Sequence, residues 1–207
     1  GEADIPRATQ IVAKGLDFPR ASTIGVISAD TQMLLPDFRS SEHTFQLLAQ
    51  VAGRAGRSKL PGEVVIQTYL PRHPTLRHVV THDFRAFYES EAGVRRELAY
   101  PPFSRLVLIE FKGEQEAEVL RNAAGFAEAL RRQNGHHITL GPATAAIARV
   151  KGLFRCHVLM KDLKKSDPSG KAFRRALENS VREFEKTAPG KSRSVKMTID
   201  VDPVGMM

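Results

Sequence analysis

The sequence contains one cysteine, Cys156, in 207 residues. A single thiol excludes an internal disulfide framework and fits a reducing compartment, and within an apolar run it reads as a small buried hydrophobe. No apolar run approaches the roughly 20 residues of a membrane span, and no basic-then-apolar leader precedes a cleavage site. The expectation is a cytoplasmic protein with no membrane partner. Also missing is the G-x-x-x-x-G-K-[ST] loop that cradles nucleotide phosphates: the one Gly-Lys-Ser, at Gly190, Lys191 and Ser192, has Glu185 where the first glycine belongs. No Asp-Glu box for magnesium accompanies it, so the chain by itself is not expected to hydrolyse ATP. Metal ligands are sparse. His78 and His82 share helical i,i+4 spacing without a third ligand nearby, and His136-His137 and Cys156-His157 are adjacent pairs that a strand would point to opposite faces. There is no start methionine, and the first residues enter abruptly, as expected of a fragment cut inside a domain.

What is present begins with a core and a charge imbalance. With 42% hydrophobic and 26% charged residues the chain can bury one large or two small cores. The net charge of +8 is uneven: residues 1–98 carry 12 Lys+Arg against 11 Asp+Glu, whereas 99–207 carry 19 against 12. Within the second half, Arg149 to Arg175 holds nine basic residues and two acids, Asp162 and Asp167. A solvated surface would explain scattered charge; this concentration suits a phosphate backbone or an acidic peptide.

The stretch Gln46 to Arg57, QLLAQVAGRAGR, ends an amphipathic run with two arginines, two glycines and a glutamine in eight residues, Gln50 to Arg57. Arg54 and Arg57, at i and i+3, share one face of a helical turn. Their guanidinium forks suit phosphate oxygens, and Gly53 and Gly56 free the backbone where the helix ends. A basic helix terminus favoured by the macrodipole accounts for one arginine, not for Gln50, Gly53, Arg54, Gly56 and Arg57 together.

Gln50-x-x-Gly53-Arg54-Ala55-Gly56-Arg57 resembles the arginine-finger motif of superfamily 2 helicases, found in the second of their two RecA-like lobes. Ala8 to Pro19 is similar to the motif that precedes it in the PriA (primosomal protein N prime) family. Leu98 to Phe103, Leu140 to Pro142, Ile147 to Gly152 and Ile199 to Pro203 are similar to that family's C-terminal landmarks. Ala8 and Ile11 stand where the family usually has Gly and Met, and Thr144 and Ala146 replace prolines. The resemblance implies the C-terminal piece of an ATP-dependent 3′-to-5′ DNA helicase that restarts stalled forks and loads the primosome. It implies ATP and magnesium held mainly by another lobe, with Arg54 and Arg57 stabilising the transferred phosphoryl and Gln50 bonding the γ-phosphate or its attacking water. Thr9, with Gln10 and Lys14 beside it, would touch DNA, and Gly15, Asp17, Gly53 and Gly56 would couple that contact to the nucleotide. The family's zinc module has no counterpart here. Arg149, Lys151 and Arg155 are candidate DNA contacts. Lys171, Arg174 and Arg175 are candidates for the acidic, phenylalanine-ended tail of single-stranded DNA-binding protein. The motif alone would allow another translocase of the superfamily, and a non-catalytic nucleic-acid or partner-binding module with a vestigial helicase remnant stands as the alternative.

The patterning predicts an α/β first part and an α+β second part. Thr23 to Ala29 and Glu63 to Tyr69 read as buried parallel strands around a helix with Phe45, Leu48, Ala49 and Ala52 on one stripe. Residues 1–76 would be part of a RecA-like helicase lobe 2, 77–99 a helical connector ending at Pro101-Pro102, and 100–207 a ferredoxin-like βαββαβ domain. In that domain Asp167-Pro168 would cap the second helix. Along the last strand Lys196, Thr198, Asp200 and Asp202 would face water without an aromatic pair, which disfavours a base-stacking platform.

Overall fold

The computed structural model describes residues 23–53, 62–187, 189–191 and 194–206. The chain divides into two compact units, Gly1–Ala92 and Gly93–Met207.

In the first unit, β1 (Thr23–Val26) and β2 (Glu63–Ile66) pair in parallel, with Thr23 opposite Glu63 and Val26 opposite Ile66. The strand predicted over Thr23 to Ala29 stops at Val26. Ala29 still bonds to Gln67 O (3.2 Å), but the backbone then turns into α1 (Asp30–Met33). Buried Asp30 secures that turn, accepting from Thr68 Oγ1 (2.8 Å) and Tyr69 N (3.0 Å), and these bonds hold its carboxyl below the usual range. Helix α2 (Ser40–Ala52) buries Phe45, Leu48 and Val51, so Val51 rather than Ala52 completes the apolar stripe. The core joins Met33, Phe45, Leu48, Leu76, Val79 and Phe87, with Phe45 and Phe87 stacked at 4.1 Å. The predicted continuous connector is two helices. α3 (Pro74–Val80) starts on its proline, with His73 Nδ1 accepting from Thr75 N. The helix breaks where His82 takes a φ of 54°, and Asp83 Oδ1 then caps α4 (Phe84–Glu97) through Ala86 N.

In the second unit the order is β3 (Ser104–Gly113), α5 (Glu116–Arg132), β4 (Ile138–Val150), β5 (Leu153–Leu163), α6 (Lys171–Phe184) and β6 (Val195–Val201). The strands form one antiparallel sheet in the order β4-β5-β3-β6. Alternate residues of β3, namely Val107, Ile109 and Phe111, meet both helices in a core where Phe111, Phe126 and Phe184 contact one another at 5.5 to 6.0 Å. The helical spacing of Val119, Leu120, Ala123, Phe126, Ala127 and Leu130 predicts one buried stripe on α5, but Leu120 is 39% exposed. The apolar pattern of the sequence predicts a strand over His137 to Leu140 only, and β4 runs much farther. An edge strand tolerates Pro142, and the register shifts between Leu140 and Ala143 and between Thr144 and Arg149 absorb the rest.

Two features position the loop before α6. The helix opens at Lys171, later than the Asp167-Pro168 start predicted, after Gly170 at φ 68°. Asp167 caps it from outside, its Oδ2 accepting from Phe173 N at 3.0 Å. Arg105 holds the loop, donating to Asp162 Oδ2 (3.1 Å), Asp167 O (2.6 Å) and Pro168 O (2.7 Å).

Candidate nucleic-acid interface

The hairpin joining β4 to β5 turns on two residues, Lys151 (φ 50°) and Gly152 (φ 85°), the left-handed pair of a type I′ turn. It therefore projects Lys151 at its tip. Arg149 is register partner of Phe154, and its guanidinium lies 4.8 Å over that ring while Nε donates to Gly152 O. Phe154 packs against the core, so Arg149 sits on the helix side of the sheet. Arg155, one residue on, projects to the other side.

There Glu110 gathers three basic side chains. Its Oε2 accepts from Arg155 Nε at 2.5 Å and faces His157 Nε2 at 3.3 Å, and its Oε1 lies 2.7 Å from Lys112 Nζ. A bulge encloses the cluster: Ala145 to Ala148 stand where Arg155 alone faces β4, and Arg155 NH1 donates to Ile147 O. The Arg155 side chain is 9% exposed. Burial works against Glu110 ionisation, but the bonds from Lys112, Arg155 and His157 outweigh it and hold the carboxyl below its usual range. Burial likewise pushes His157 below the ordinary imidazole value, in spite of the opposing pull of Glu110, so the ring is neutral at neutral pH.

The run from Arg149 to Arg175 is thus not one face. Lys161 is buried, donating to Leu98 O at 3.1 Å under the Tyr100 ring, and burial lowers its pKa. Lys164 and Lys165 are exposed at the far end of β5, and Lys171, Arg174 and Arg175 are exposed on the first turns of α6. Beside those turns opens a cavity of about 270 Å³ lined by His136, His137, Asp162, Asp167 and Phe173. Both histidines precede β4 and line the same cavity, which corrects their predicted placement on opposite faces of a strand. Among the described residues no three His, Cys, Asp or Glu converge on a metal position. Cys156 is buried against Ala143 O, and burial pushes its thiol up, away from reactivity.

Of the motif residues, Gln50 is exposed in the last turn of α2. Gly53 caps that helix at φ −68°, a conformation open to any residue, so the backbone freedom predicted for it is not used. Thr9, Gln10, Lys14, Gly15, Asp17, Arg54, Gly56 and Arg57 lie outside the described residues.

Residues 96–204 match the family model described as the Primosomal protein N C-terminal domain. The chain belongs to the PriA C-terminal domain family. It is 42% identical over its whole length to the replication restart protein PriA of Bacillus subtilis, of which it covers 25%. Similarity to the replication restart proteins PriA of Treponema pallidum (35% identical, all of this chain, 30% of the relative) and Haemophilus influenzae (32%, 98% and 27%) is comparably long. The chain therefore spans about a quarter of the length of the PriA relatives it matches. Those matches extend upstream of residue 96 and span the positions from Gln50 to Arg57.

Lys112 and Glu110 escaped the sequence reading altogether, and Lys196 entered it only as part of a wet strand face. Their signal is register, which brings β3, β5 and β6 side by side.

Proposed function

We propose that this chain is the C-terminal part of an ATP-dependent DNA helicase that restarts stalled replication forks. The observation that carries the reading is similarity along the entire chain, arginine motif and C-terminal unit together, to proteins named replication restart protein PriA. In this account the first unit belongs to a RecA-like lobe 2, and its parallel β1–β2 pair is of the kind such lobes contain. The second unit is ferredoxin-like, a reading supported by its βαββαβ order and its β4-β5-β3-β6 sheet.

ATP with magnesium, bound chiefly by the other lobe, supplies the free energy for strand separation. This chain's part is electrostatic. Arg54 and Arg57, carried just beyond α2, stabilise negative charge on the transferred phosphoryl, a role worth ~10³ to 10⁵ in rate where it has been compared in GTPases. Gln50, exposed in the last turn of α2, would bond the γ-phosphate or its attacking water. Thr9, Gln10 and Lys14 contact DNA, and Gly15, Asp17, Gly53 and Gly56 couple that contact to the nucleotide. The zinc that the family resemblance implies belongs to a module with no counterpart in this chain, so none of these residues has a role toward it.

The second unit contacts fork DNA through phosphates, with Lys151 exposed at the hairpin tip and Arg149 beside it. Lys171, Arg174 and Arg175, next to the cavity at the start of α6, suit an acidic peptide ending in an aromatic ring, such as the tail of single-stranded DNA-binding protein, and other primosome proteins are partners of the whole. The test is to assay the purified 207-residue chain for both activities. DNA binding without DNA-stimulated ATP turnover is expected; measurable turnover by this chain alone would overturn the division of labour.

A further inference from the structure

Three cations stand in one row across the sheet. Lys112 of β3 is register partner of Arg155 on β5 and of Lys196 on β6, and cross-strand partners project to the same face. Because Val107, Ile109 and Phe111 take the helix side, this row lies on the opposite side, where Lys196 is exposed, Lys112 is 36% exposed and Arg155 is nearly buried. Strands run about 4.8 Å apart, so the three stems leave the sheet within about 10 Å of one another.

Like charges directly opposite destabilise a sheet, and the local counter-charge is small. Glu110 pairs with Lys112 and Arg155, while Lys196 is exposed and has no acid partner among the described residues. Burial keeps His157, the fourth basic group at this carboxylate, neutral. The row thus retains about two uncompensated positive charges where folding alone would favour none, a local conflict of the kind found at binding sites.

We propose that this face of the sheet seats the phosphodiester backbone of a nucleic-acid strand, with Lys112 and Lys196 as its phosphate ligands and Glu110 as the residue that positions the row. This rests on the DNA-binding reading above and locates it. The ligand class follows from shape and charge. The row is linear, and no phenylalanine, tyrosine or tryptophan stands among the residues of β3, β5 and β6 that share its face, so it offers phosphate contacts without base stacking. The cavity suited to an aromatic peptide end lies instead at the start of α6, on the helix side. DNA and an acidic peptide therefore use different surfaces and do not compete for one pool of charge, contrary to what a single basic segment in the sequence suggests.

The experiment measures anisotropy of labelled oligothymidylate with the 207-residue chain across a salt series. It compares Lys112→Gln with Lys196→Gln, made together, against Arg121→Gln with Lys186→Gln, which remove equal charge from exposed positions elsewhere. Each phosphate contact contributes about 0.7 to the slope of log K against log salt for single strands, so the row variant should lose about 1.4 in slope and the control none. Equal losses in both variants would reduce the effect to net charge and overturn the row. A labelled polyglutamate peptide that binds with the same row-dependent slope would overturn the ligand class. If the unsubstituted chain fails to bind DNA even at low salt, the DNA-binding reading falls, and the row with it. Thermal unfolding of each variant verifies that the fold is retained.

Discussion

Glu110 Oε2 and Arg155 Nε are 2.5 Å apart on the side of the sheet away from the helices, and both side chains are nearly buried there, at 13% and 9% exposed. A charge pair so placed depends on each partner for satisfaction, since removing one leaves the other desolvated and unpaired. Glu110→Gln should destabilise the second unit by about 1.5 to 3 kcal/mol, the range for hydrogen bonds to charged groups. Denaturant unfolding checks it; a change within about 0.5 kcal/mol, typical of surface sites, would show that the cluster is not held by this carboxylate.

The same cluster sets a pH dependence with a definite sign. His157 is lowered in the fold from its ordinary 6.5, chiefly by burial and also by Arg155 and Lys112, against the pull of Glu110. The unfolded chain therefore takes up the proton first, and stability falls as pH drops from 6.5 toward the folded value. Glu110 is lowered from 4.5, so its contribution is present above that pH and is lost as pH falls through the folded value. Both limbs slope the same way, one setting in below 6.5 and the other below 4.5. His157→Gln should flatten the upper limb; an unchanged upper limb would mean that another group produces it.

Arg105 and Gly170 make a structural test. A Cβ at Gly170 would lie 2.7 Å from Arg105 Nε, and the φ of 68° is itself unfavourable to any L side chain. Gly170→Ala should cost at least the roughly 1 to 2 kcal/mol of a left-handed residue. Arg105→Ala, which strands buried Asp162, should cost more, about 3 to 5 kcal/mol. Unfolding midpoints that rank the two the other way would contradict the role given to Arg105.

The helices and the last strand of the second unit were legible because period and punctuation agreed: apolar residues at helical spacing on α5 and α6, and alternation in β6. The candidate interface was only half legible. Arg149 and Arg155 look like neighbours in sequence, but the two-residue turn pairs Arg149 with Phe154, so the alternation of β5 sends Arg155 to the other face. Lys112 and Lys196 are 84 positions apart in sequence and meet only through register, which no local pattern encodes. The helix break at His82 was missed for a related reason, since a left-handed histidine and a capping Asp83 carry no periodic signal.

In the proposed function Arg54 and Arg57, which follow α2 in sequence, act on a nucleotide held by the rest of a longer helicase. The most direct test is DNA-stimulated ATP hydrolysis by the full-length protein carrying Arg57→Ala, measured beside its affinity for a labelled fork. An arginine that stabilises charge only in the transition state leaves ground-state binding alone. The account predicts turnover reduced by about 10³ or more with fork affinity nearly unchanged. Hydrolysis surviving within a few-fold would contradict it.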